Sequence, residues 1–77
     1  MTLSTLIYNI KIEVPGDWEN KKELFAALDG VHEQINMRPS LETHAIDMVT
    51  SVIVMQLGQP KNQWQQRIFN IINNSRS

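Results

Sequence analysis

His44 and Asp47 stand three residues apart, a spacing that places two side chains on one side of a helix. An imidazole beside a carboxylate is half of a metal site, or a histidine held ready to accept a proton. A third ligand would have to come from His32 or Glu42. No recognised motif surrounds the pair, and the same spacing occurs in any polar stripe of a buried helix. Other signatures of catalysis are missing. Gly16, Gly30 and Gly58 are isolated rather than gathered in a phosphate loop, there is no nucleophile elbow or zinc-protease motif, and cysteine is absent. The reading is therefore non-enzymatic, with no catalytic residue, no metal and no cofactor.

A second constellation lies near the C-terminus. Gln63, Arg67, Asn70 and Asn74 follow one another at steps of four, three and four, which is one face of a helix. Amide and guanidinium side chains of this kind read adenine and guanine edges in a major groove. They also make adaptable hydrogen bonds to a protein partner. A DNA reader needs lysine and arginine for the phosphates, whereas this face carries Arg67 alone, with Lys61 just outside it. The whole chain has seven basic and eight acidic side chains and a formal charge of -1. That balance argues against nucleic acid and against acidic membranes.

Trp18 follows a turn signal and Trp64 sits near a helix start. Tryptophan, arginine and methionine are enriched in interface centres, and Met37, Met48 and Met55 add soft, adaptable surface. Each of these residues taken singly is more often ordinary core. Taken together, the candidate partner-binding set is Trp18, Gln63, Trp64, Arg67, Asn70 and Asn74.

The elements that must position these residues are organised around Ser40–Leu57, the densest apolar stretch. Leu41, Ala45, Met48, Val52 and Met55 form one helical stripe, and Ile46, Val49, Ile53 and Leu57 form a second beside it. Ser40 is a good N-cap, Gly58 a helix closer, and Pro60 a block to continuation. The β-branched run from Val49 to Val54 also suits a strand at Ser51–Leu57. Before this stretch, Asp17 can cap a helix from Trp18 to about Asn36, with Phe25, Leu28, Val31 and Ile35 inward. Gly30 is its weak point, and Val31–Met37 is readable as a strand. After it, Pro60 to about Asn73 repeats helical spacing through Trp64, Ile68, Ile71 and Ile72.

The N-terminal stretch alternates. Leu6, Tyr8, Ile10, Ile12 and Val14 fall on one face and Thr5, Asn9, Lys11 and Glu13 mostly on the other, which predicts a half-buried strand over Thr2–Val14. A lone strand needs a partner for its backbone groups, so it points to a homodimer or to pairing with another protein's sheet edge. A strand followed by two helices is similar in layout to the ribbon-helix-helix arrangement of small dimeric repressors. The strand lacks the outward basic residues that such a ribbon uses.

The 77 residues predict one domain of α+β class: one N-terminal strand, then three helices. The alternative is β-α-β-α, with Ser51–Leu57 as a second strand. The absence of cysteine suits a reducing cytoplasm. The N-terminus has no signal-peptide pattern and no apolar run reaches the length of a membrane span. Domains this small and unstapled often gain core by docking on a partner. The expected function is a protein-binding module, a stoichiometric inhibitor or adaptor of a larger partner, of a size and composition carried by phages and mobile elements. A small dimeric DNA-binding regulator is the alternative.

Overall fold

The computed structural model describes residues 2–76. Four α-helices make up the fold: α1 (Leu3–Glu13), α2 (Lys21–Met37), α3 (Ala45–Leu57) and α4 (Gln63–Arg76), with a 3-10 turn at Pro39–His44 leading into α3. Among the described residues there is no strand. The class is all-α, and the α+β expectation is overturned along with its β-α-β-α variant. Val31–Met37 and Ser51–Leu57, each readable as a strand, lie inside α2 and α3.

The N-terminal stretch forms a helix because its apolar residues satisfy two periods at once. Leu3, Leu6, Ile7, Ile10 and Val14 recur at helical spacing, and Leu6, Ile7, Ile10 and Val14 are buried. A strand would have buried Tyr8 and Ile12 beside Ile10, yet these are 64% and 60% exposed. Thr2 supplies a start signal, its hydroxyl oxygen accepting from the Thr5 N–H at 3.2 Å. A helix satisfies its own backbone groups, whereas a single strand in this chain would have left its groups unpaired. The argument for a dimer through strand pairing falls with the strand.

In α2, Leu24, Leu28, Val31 and Ile35 form the buried line, and Phe25 lies at its edge. The helix starts at Lys21 rather than Trp18, because residues 15–20 make tight turns. The Trp18 N–H donates to the Pro15 carbonyl at 3.1 Å and the Lys21 N–H to the Trp18 carbonyl at 3.2 Å. In α3, Ala45, Val49, Ile53 and Leu57 line up at steps of four and are buried. The expected stripe through Met55 is not inward, since Met55 is 84% exposed. Ser40 caps no α-helix either, because the chain passes first through the 3-10 turn. Gly58 closes α3 as its sequence suggests, at φ 66°, with its N–H on the Val54 carbonyl at 2.8 Å.

Cross-helix contacts set the topology. Ser4 meets His32 and Lys11 meets Asp29 between α1 and α2. Glu13 faces Arg67 between α1 and α4, and Arg76 reaches Asp47 and Thr50 between α4 and α3. Each of these neighbours runs antiparallel to the next, so the four helices alternate in direction, and α4 returns to lie on α1. The two most extensive interfaces are α1–α4 and α2–α3. The core is aliphatic and continuous, with Ile10, Leu24, Leu28, Val49, Ile53, Ile68 and Ile72 fully enclosed. No helix among the described residues is long and apolar enough to cross a membrane.

Candidate functional site

The first turn of α4 is built by a reciprocal cap. The Asn62 side-chain oxygen accepts from the Gln65 N–H at 3.0 Å, and the Gln65 side-chain oxygen accepts from the Lys61 N–H at 2.8 Å. This is the logic of a capping box, in which two free backbone donors are satisfied at once. The helix therefore begins at Gln63 and not at Pro60. Gln65 does not belong to the outward amide face, being only 7% exposed. Its side-chain bond explains how a buried amide is tolerated, and no buried side-chain polar atom among the described residues lacks a partner.

With Ile68 and Ile72 inward, Gln63, Gln66, Arg67, Asn70, Asn73 and Asn74 are all exposed. Four of the expected partner-binding residues, Gln63, Arg67, Asn70 and Asn74, thus share one solvent-facing surface. Gln66 donates to Asn70 at 3.1 Å along this face, an i,i+4 pair that orders two of the amides. Among the described residues, Arg67 meets only Glu13, at 3.8 Å, too long for a hydrogen bond. Its planar set of N–H donors is open to a partner.

The two tryptophans come together at the same end of the molecule. Trp18 projects from the α1–α2 connection and Trp64 from the first turn of α4, with ring centroids 5.2 Å apart and planes at 67°. Both are half-buried and lean on the core. They are neither free anchors nor fully interior. Each stays partly exposed while bracing the other, and Trp64 stands one helical turn before Arg67.

His44 and Asp47 do not form a site. Both are exposed, and Asp47 accepts from Arg76 at 3.0 Å. His32 lies on the α1 side of α2, 3.2 Å from the Ser4 hydroxyl. Among the described residues no group of three His, Cys, Asp or Glu side chains is placed to hold a metal ion. Surface depressions exist, including one lined by Trp18, Lys21, Lys22, Phe25, Ala26 and Asp29. Lys11 and Lys21 lie over the Phe25 ring, at 5.1 and 5.4 Å. These cations serve packing, and Lys11 is also paired with Asp29.

Compared with known protein families, with curated proteins and with solved structures, the chain matches none. The argument for function therefore rests on the surface itself. Sequence reasoning missed Tyr8 and Ile12 as surface groups because it placed them on the buried face of a strand. Their signal lay in the same residues: a helix drawn through Leu6 and Ile10 leaves Tyr8 and Ile12 on its outer side.

Proposed function

We propose that this chain is a non-enzymatic protein-binding module of the cytoplasm. It acts as a stoichiometric inhibitor or adaptor by covering a surface of a larger partner. The observation that carries this reading is the open guanidinium of Arg67. It stands in an exposed amide face, beside a pair of braced tryptophans. Arginine and tryptophan dominate binding energy in interface centres, and amides around them make hydrogen bonds that adapt to the partner. The absence of cysteine from the sequence suits a reducing compartment.

The test is a double substitution, Gln63→Ala with Arg67→Ala. Both side chains are exposed, so the helical circular dichroism and the melting temperature should stay close to those of the parent. The protein partner that the parent retains from nuclease-treated lysate should be lost, with affinity down about tenfold or more. Full retention by a folded double variant would place the interface elsewhere.

One observation favours a second reading. Residues 48–77 contain Lys61, Arg67 and Arg76 and no Asp or Glu, although Arg67 faces Glu13 and Arg76 binds Asp47 from neighbouring helices. That is compatible with a small DNA-binding regulator. It demands retention on duplex DNA that falls steeply with salt, which the protein-binding reading does not require.

A further inference from the structure

α3 carries less charge than the other helices. Its one charged side chain, Asp47, stands in the first turn and already meets Arg76 of α4 at 3.0 Å. From Met48 to Pro60 the sequence has no Asp, Glu, Lys, Arg or His. Each of the other three helices carries at least two charged side chains. This uncharged stretch is not all interior. Ser51, Val54 and Met55 are exposed, Met55 at 84%, and Met48 and Val52 are half-buried. A solvent-facing apolar helix surface without charge is the kind of surface that another protein covers.

Met48, Ser51, Val52 and Met55 stand at steps of three, one and three, so they form one strip along the helix. Thr50, where Arg76 of α4 attaches, lies well round the helix from it. The strip is the same read from either end, with a methionine three residues out on each side of the Ser51-Val52 pair. A closed two-fold interface has this property, because residue i of one copy must fit residue j of the other and j must fit i. Two α3 helices laid antiparallel about the midpoint between Ser51 and Val52 set Met55 of each copy on Met48 of the other. Ser51 then meets Ser51 across the axis. Serine is small enough to let the helices approach, and methionine adapts its shape to a neighbour. The strip itself brings no charges together. An acidic or basic partner would find no counter-charge on it, whereas a second copy needs none.

We propose that α3 pairs two-fold and antiparallel with α3 of a second copy of the chain, through Met48, Ser51, Val52 and Met55. A helix of 13 residues is about 20 Å long. A strip of that length covers about half of the ~800 Å² that a stable complex buries on each partner. The dimer is therefore weak and reversible, with a dissociation constant on the order of 10–100 µM. This pairing does not rest on the protein-binding reading. It adds to it, because a two-fold dimer presents the amide face of α4 twice and a partner with two sites gains by avidity.

The experiment uses the full chain alone. Sedimentation velocity over about 5–500 µM should show a shift from monomer to dimer by mass action. Met55→Glu lies at an exposed position, so the helical circular dichroism should match the parent, while self-association weakens about tenfold or more. The chain has no cysteine, so a single introduced thiol reports on its neighbours without background. Ser51→Cys should give a disulfide-linked dimer on mild oxidation. Met37→Cys, exposed on α2, should stay largely monomeric under the same conditions.

A monomer across the whole concentration range overturns the proposal. So does a folded Met55→Glu that associates like the parent, or a thiol at position 37 that cross-links as readily as one at position 51. None of these readouts involves a partner protein. Loss of partner retention in Gln63→Ala with Arg67→Ala therefore stands or falls separately.

Discussion

The ring of Trp18 meets the ring of Trp64 edge to face, 5.2 Å between centroids. This contact ties the α1–α2 connection to the first turn of α4, two segments far apart in sequence. Edge-to-face pairs contribute about 0.5–1.5 kcal/mol beyond the area they bury. A double-mutant cycle with Trp18→Ala and Trp64→Ala, read by urea unfolding, should return a coupling of that size. Additive losses would mean that each ring packs on the core independently.

The helical register of α1 is open to a direct check. Ile10 is fully enclosed and Ile12 is exposed, whereas a strand would place both on one face. Ile10→Ala should cost about 2–5 kcal/mol. Ile12→Ser should change stability by about 0.5 kcal/mol or less. Comparable losses at both positions would restore the strand.

Two glycines should respond in opposite directions to alanine. A Cβ at Gly30 or at Gly58 meets nothing within 4 Å, so space does not distinguish them. Backbone conformation does. Gly58 has φ 66°, and Gly58→Ala should destabilise by about 1–3 kcal/mol. Gly30 sits inside α2 without a positive φ, and Gly30→Ala should stabilise by about 0.5–1 kcal/mol. Thermal melts of the two variants, shifted down and up respectively, are the expected pair.

The reciprocal cap of α4 predicts a loss confined to that helix. Asn62→Ala removes the acceptor for the Gln65 N–H and should cost about 1 kcal/mol. Amide hydrogen exchange should quicken most at Gln63–Gln66. Uniform quickening across all four helices would mean that the cap contributes only to global stability.

The helical spacing of α4 was legible, and Gly58 with Pro60 marks a boundary, whereas the ends of α2 and α3 at Val31–Met37 and Ser51–Leu57 were also readable as strands. The amide face was legible for the same reason, since exposure follows once Ile68 and Ile72 are known to point inward. The N-terminal element was not legible locally. Leu6, Ile10 and Val14 lie on both a two-residue and a helical repeat, so the decision falls to Ile7, Tyr8 and Ile12, whose environments depend on distant helices. The start of α3 was misplaced for a different reason. Pro39-Ser40 is a sound start signal, but the chain uses it to open a 3-10 turn, and the α-helix follows only at Ala45. The pairing of Trp18 with Trp64 had no local signal, because it is created by the return of α4 to α1.

That return also bears on how the chain folds. Contacts of α2 with α3 close across the short 38–44 segment, while contacts of α1 with α4 must close a loop of nearly the whole chain, at an entropic cost that grows with loop length. The α1–α4 seam is accordingly expected to assemble late, after the α2–α3 hairpin. Its outer surface is then the last to acquire its native shape, and the first to lose it when the chain opens.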